Sequence, residues 1–233
     1  MNRIKLIDTK QKLIKCLQEL QEDLGCYEDL TSSEVLFCDF EGVELGKDGQ
    51  LCIGQFATRS STFLVDFVVL GKDAATLTHQ NISLKSLLES PGIKKVIFDP
   101  RKDSLALYFQ YEIAMKNVIC LQLMEAACRR KRGLKVTYVK GLSSLLPSST
   151  DQIKEEGKSL FLQNPLVWKE RPLQPAVLAY SKSDVEGLIP LYDEFKSQLN
   201  GNWMHKVERL TKQRVEIYNT PNATFSAVAP SFK

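Results

Sequence analysis

The chain has 233 residues, 43% of them hydrophobic and 25% charged, with a formal net charge of +3; that is the make-up of one good-sized globular domain, or of a domain with appended helices. The charge is too small to mark a nucleic-acid binder by itself, although it would not repel a polyanion. Six scattered cysteines with no C-x-x-C pair argue against a zinc site or a disulfide framework, and no apolar stretch reaches the length of a membrane span.

Residues 4–7 read as a short strand. Thr9 is placed to cap a helix whose apolar residues Leu13, Leu17, Leu20 and Leu24 recur at helical spacing, with Gly25 as its stop. The run Val35-Leu36-Phe37-Cys38-Asp39-Phe40-Glu41 is β-rich and ends in carboxylates. A turn over 46–49 and strands over 51–57 and 62–68 complete an antiparallel meander. The rhythm then alternates: helix 84–88, strand 95–98, helix 102–111, strand 118–121, helix 123–132. Such alternation implies βαβ crossovers. From Gly141 onward the signals are helical. Residues 148–163 are polar and read as a loop around a short helix. A long helix runs from about Leu173 to Leu199, another covers 203–218, and the end from Thr220 has the composition of a tail. The expected organisation is one α/β domain on a mixed sheet over residues 1–200, a C-terminal helix over 201–219 and a flexible tail over 220–233.

Asp39 and Glu41 are two apart on a strand, so both carboxylates project from one face. Like charges side by side repel, and a cation between them resolves the repulsion; a strand end meeting solvent is the plainer alternative. Asp103 follows the apolar run Val96-Ile97-Phe98 in a first helical turn, where the helix dipole alone favours a carboxylate. Tyr180 and Asp184 are four apart on one helix and share a face, beside the apolar positions Val177, Leu178, Leu188 and Leu191. Taken singly, each of these carboxylates also has a structural explanation.

Their order is more telling: D-x-E on a strand, an aspartate after a later strand, and Y-x-x-x-D on a C-terminal helix. With the stretches Cys38-Asp39-Phe40-Glu41-Gly42, Gly49-Gln50-Leu51-Cys52-Ile53-Gly54-Gln55, Lys95-Val96-Ile97-Phe98-Asp99-Pro100-Arg101-Lys102-Asp103 and Trp168-Lys169-Glu170-Arg171-Pro172-Leu173, the sequence resembles the DEDDy 3′–5′ exonucleases of the RNase D-like superfamily. The resemblance covers roughly residues 4–195 and is nearest to the Exd1-like and fungal 3′–5′ exonuclease-domain proteins. It implies an RNase H-like fold and two divalent cations, Mg²⁺ or Mn²⁺, held by Asp39, Glu41, Asp103 and Asp184. It also implies that Tyr180 orients the attacking water. A phenol is too weak an acid to act as a base at neutral pH, and hard oxygen ligands suit these ions. The implied activity is stepwise hydrolysis of single-stranded RNA or DNA from the 3′ end. The alternative is a catalytically weak or inactive module on the same fold that binds RNA or acts as an adaptor, although all four carboxylates and the tyrosine are retained.

The sequence departs from the family at Cys120-Leu121-Gln122, where an aspartate often precedes the glutamine, and at Asp99-Pro100, where relatives carry histidine and cysteine. Arg101 and Lys102 flank Asp103 and are the candidate phosphate contacts. The run Arg129-Arg130-Lys131-Arg132 with Lys135 suits a solvated helix end, an RNA backbone or a nuclear address. Trp168 with Arg171-Pro172 reads as an anchor before the long helix, or as an aromatic that stacks on a base. His79 and His205 read as surface residues. The helix over 203–218 is a candidate surface for a homodimer or a protein partner. With no signal-like opening segment and no membrane span, the expectation is a soluble intracellular protein of the cytoplasm or nucleus.

Overall fold

A computed structural model describes residues 4–26, 30–146, 148–220 and 225–232, with the backbone alone at 148–154. Strand β1 (Lys5–Ile7) leads into helix α1 (Lys10–Leu24). Thr9 caps the helix, its hydroxyl accepting from Lys12 N at 3.2 Å, and Gly25 closes it at φ 62°. Both were expected from the sequence.

Strands β2 (Val35–Val43), β3 (Gln50–Ala57) and β4 (Thr62–Asp66) form the antiparallel meander. The third strand was expected to reach Val68 but stops at Asp66. The Asp66 carboxylate accepts from Val68 N and Val69 N, both at 3.0 Å, and caps the short helix α2 (Phe67–Leu70). A side chain that satisfies two backbone donors locally takes the chain out of the ladder. Helices α3 (Asp73–Thr76) and α4 (Leu84–Glu89) follow. Then come β5 (Lys94–Ile97), α5 (Arg101–Tyr111), β6 (Val118–Cys120) and α6 (Leu121–Lys131).

Among the described residues the strands make one sheet, ordered β1-β4-β3-β2-β5-β6. The β1–β4, β2–β5 and β5–β6 pairs are parallel, so the sheet is mixed as expected. One face carries Cys38, Phe40 and Phe56 against α1, α4 and α5, and the other carries Phe37, Val96 and Ile119 against the C-terminal helices.

Residues 148–163, expected as a loop around a short helix, are one helix, α7 (Ser148–Gln163). Its polar sequence signals a helix poorly; packing against the next helix supplies what propensity does not. A 3₁₀ turn over Pro165–Trp168 separates it from α8 (Pro175–Gln198), and α9 (Gly201–Val215) ends in a second such turn over Glu216–Asn219. The apolar face of α9, with Val207 and Leu210, is buried against β6 and α6, and Thr211 Oγ1 accepts from Cys120 N at 3.1 Å. The apolar face of the helix considered for a dimer is therefore occupied within the chain, which leaves its exposed polar face.

Residues 225–232 also differ from the free tail expected over 220–233. Val139 N donates to Ala227 O and Ala229 N to Thr137 O, both at 2.9 Å, and Phe232 is buried beside Trp203. Residues 221–224 and 233 of that expected tail lie outside the described residues. All six cysteines are buried free thiols, and no described helix is long and apolar enough to cross a membrane.

Candidate active site

Alternation along β2 sends Cys38 and Phe40 to one core and Phe37 to the other, so Asp39 and Glu41 share the face of Phe37. That is the face on which α8 lies: Tyr192 of α8 meets Phe37 edge-on at 5.8 Å between ring centroids. Asp184, two turns earlier on α8 and buried, is thereby brought to the two strand carboxylates. Oxygens of Asp39, Glu41 and Asp184 lie within 4.8 Å of one another. Just beyond Glu41 the β2–β3 register shifts at Gly42. A Cβ there would meet Gln50 O at 1.9 Å, so glycine is what allows the strands to stay paired after the carboxylates.

Three carboxylates at this separation repel one another unless a cation or a proton lies among them, and an all-oxygen donor set suits a hard divalent ion. The donor set fits the cations that the sequence resemblance implies. Asp103 is buried at the start of α5 and stands outside the 4.8 Å group. Burial pushes its carboxyl well above the usual range, and the charges of Asp39, Glu41 and Asp99 push it further, while Lys102 opposes them. The structure thus gathers three of the four expected ligands tightly and sets the fourth close enough to feel their charge.

Tyr180 lines the same cleft, one turn before Asp184. Its ring packs against Phe161 at 5.9 Å and Trp168 at 6.0 Å, and its flank lies on Gly157, where a Cβ would come within 2.5 Å of the tyrosine side chain. Burial raises the phenol's pKa, and the charges of Glu41 and Asp39 raise it further. The hydroxyl therefore stays protonated and can donate. The cleft measures about 280 Å³, and α7 contributes Glu155, Lys158 and Phe161 to its lining.

Sequence reading assigned no role to Gln55, which is fully buried and lies directly across the ladder from Asp39. In the amide orientation that satisfies its surroundings, its nitrogen donates to Asp39 Oδ2 at 3.0 Å and to Ser181 O of α8 at 2.9 Å. A lone amide inside the apolar strand Leu51-Cys52-Ile53-Gly54-Gln55-Phe56-Ala57 was the available signal. Glu155 and Lys158 were missed for another reason: their segment gave no firm helix, so nothing in the sequence aimed them at the cleft.

Arg101 is not turned toward the cleft as a free cation. It forms a bidentate pair with Asp99, both contacts at 2.6 Å, and donates to Ser226 O at 3.0 Å. Lys102 is exposed. In the stretch that departs from the family, Leu121 stands where the aspartate is common, and the following Gln122 has a structural role: its oxygen accepts from Arg214 Nη1 at 2.7 Å and its nitrogen donates to Lys140 O at 2.8 Å, which ties α6 to α9 and to the 140 segment. Trp168 is buried, and Arg171 pairs bidentately with Asp66 at 2.6 Å, as an anchor requires.

A family model described as 3′–5′ exonuclease matches residues 8–200. The piRNA biogenesis protein EXD1 of Mus musculus is 30% identical over 189 residues, covering 73% of this chain and 31% of that protein. The chain thus spans about a third of the length of the curated relatives it matches. Among solved structures, Trypanosoma brucei RNase D in complex with RNA U12 superposes with a TM-score of 0.73 at 22% identity, covering 98% of this chain and 77% of that one. Brucella melitensis NrnC with bound Mg²⁺ gives 0.57 at 18%, covering 97% and 100%. At these identities the structures establish the fold, an RNase D-like α/β sheet.

Proposed function

We propose, since this chain belongs to the 3′–5′ exonuclease family, that its acidic cleft hydrolyses single-stranded RNA or DNA stepwise from the 3′ end with two divalent cations, Mg²⁺ or Mn²⁺. One observation carries the reading: Asp39, Glu41 and Asp184, from a strand and a helix far apart in sequence, converge within 4.8 Å in a cleft that also holds Tyr180. On this reading Asp39, Glu41 and Asp184 would hold one cation, and Asp39 with Asp103 the other. Bound there, such ions supply an activated water and stabilise the leaving oxygen.

The chain's own groups do the positioning. The Tyr180 phenol keeps its proton, so it orients the attacking water by donating a hydrogen bond and does not remove a proton. Gln55 holds Asp39 in one orientation and spans to the α8 backbone. Lys158, a cation in the cleft wall, is placed to meet the phosphate that the carboxylates would otherwise repel. RNA is the first substrate to assay, because the relatives are named for piRNA biogenesis and the RNase D neighbour holds an RNA.

A second reading, a module that binds RNA without turnover, draws on Asp103, which stands outside the group formed by the other three expected ligands. One experiment separates the two. A 5′-labelled oligonucleotide, in RNA and DNA forms, is incubated with Mg²⁺ or Mn²⁺, and Mn²⁺ binding is measured by calorimetry for the wild type and Asp39→Asn. The enzyme reading expects a ladder that keeps the 5′ label, and Mn²⁺ binding that Asp39→Asn weakens. Internal cuts or immediate release of the labelled nucleotide would refute the polarity. Tight binding with no cleavage would favour the module.

A further inference from the structure

Residues 137–139 and 227–229 form a short two-stranded ribbon, one antiparallel bridge long, that the exonuclease reading does not use. Tyr138 faces Val228 across it, and the hydrogen bonds from Val139 N to Ala227 O and from Ala229 N to Thr137 O flank that pair on both sides. A pair set between hydrogen bonds in this way brings its two side chains close on one face. Val139 and Ala229 point the other way, onto the core. The outer face is therefore Tyr138, 61% exposed, beside Val228, 57% exposed, and Phe225 nearby is 44% exposed over the guanidinium of Arg101.

Apolar surface of this kind on a soluble domain usually meets something, and charge says what. Residues 129–140 hold six cationic side chains and no acidic one. Arg129 and Lys140 face Glu125 at 2.7 and 3.8 Å. Arg130, Lys131, Arg132 and Lys135 pair with no acidic side chain among the described residues. An aromatic that follows a run of unneutralised cations closely along the chain is the composition of a single-strand track, where bases stack and phosphates are held by charge. The ribbon also leads to the cleft. Leu142 and Ser143 line it, and the four residues from Tyr138 to Leu142 span at most about 14 Å.

We propose that this ribbon is the path by which a single-stranded nucleic acid leaves the cleft, with Tyr138 as a stacking platform, Phe225 as a second, and Lys135 as a phosphate contact. The proposal rests on the reading of the cleft as a nuclease site, and it is tested by binding, without turnover. Affinities of the metal-free protein for a homopolymer of about a dozen nucleotides and for a dinucleotide are compared by fluorescence anisotropy. Tyr138→Ala should weaken the longer strand about 5- to 150-fold, the range that one base–aromatic stack is worth, and leave the dinucleotide nearly unaffected. Tyr138→Phe should keep the affinity, and Lys135→Gln should reduce the salt dependence by about one released counterion. An unchanged affinity for the longer strand in Tyr138→Ala, with an unchanged melting temperature, overturns the track. So does a change of sedimentation from dimer to monomer in that variant without a change in affinity, which would make the ribbon a protein interface. Loss of affinity in Tyr138→Ala from a wild type that never cleaves would sustain the track and refute the enzyme.

Discussion

Asp39 and Glu41 stand on a strand paired with β3 over Phe37–Val43 and with β5 over Val35–Phe37, whereas Tyr180 and Asp184 stand on a helix that belongs to no ladder and is held through side-chain contacts. The strand half is positioned by the backbone ladder, which any sequence with the right pattern can form. The helix half depends on a set of specific contacts: Gly157 under Tyr180, Arg171 on Asp66, Arg59 on Asp193 and Thr62 on Glu186. Gln55 of β3 bridges the two halves, donating to Asp39 Oδ2 and to Ser181 O. The lesson is that single substitutions outside the ligand set should disturb the helix half far more than the strand half.

The largest expected effect is on chemistry. Tyr180→Phe removes only the hydroxyl, so turnover should fall about 10²–10⁴-fold, the usual worth of a group that positions water, with binding and stability unchanged. Single-turnover cleavage set against filter binding measures this, and an unchanged rate would remove the role assigned to the phenol. Next is Arg171→Leu, which leaves the Asp66 carboxylate, 1% exposed, without its cation. Breaking a buried pair costs about 3–5 kcal/mol. The lower end applies here, because the Arg171 side chain is 21% exposed and Asp66 keeps its two backbone donors. Urea unfolding reads it, and a loss below about 0.5 kcal/mol would make the pair a surface contact.

Gln55→Leu tests the bridge between the halves. Support from a neighbour of a metal ligand is typically worth 10–100-fold in metal affinity, so calorimetry should find Mn²⁺ binding weakened by about that factor with the sheet intact. Equal affinities would show that Asp39 holds its orientation unaided. The smallest effect, and the one with the least intuitive sign, is Gly157→Ala. In an exposed helix this change stabilises by about 1 kcal/mol. Here the new methyl would meet Tyr180 at 2.5 Å, and overpacking of that kind costs about 1–3 kcal/mol. A more stable variant would mean that α7 sits looser on α8.

Much of this protein follows from local rules that a sequence states outright. The Thr9 cap, the Gly25 stop, the meander and the alternation that puts Asp39 and Glu41 on one face all rest on interactions within a few residues or on a period of two. The order of D-x-E, Asp103 and Y-x-x-x-D was enough to identify the fold through its family. Tertiary structure decided the rest. Helix α7 forms because Gly157 allows it to lie flush on Tyr180, a contact 23 residues away along the chain that no periodicity reveals. Strand β4 stops two residues early because Asp66 caps the next turn and meets Arg171. Arg101, the candidate phosphate contact, pairs bidentately with Asp99 two residues before it, and Arg214 of α9 reaches the same carboxylate at 3.3 Å. Residues 225–232 pack because the edge at 137–139 offers them backbone partners and Trp203 offers a place for Phe232. For α7, for Asp66 with Arg171 and for residues 225–232 the deciding partner is remote in sequence, and only the folded chain brings it within hydrogen-bonding or packing distance.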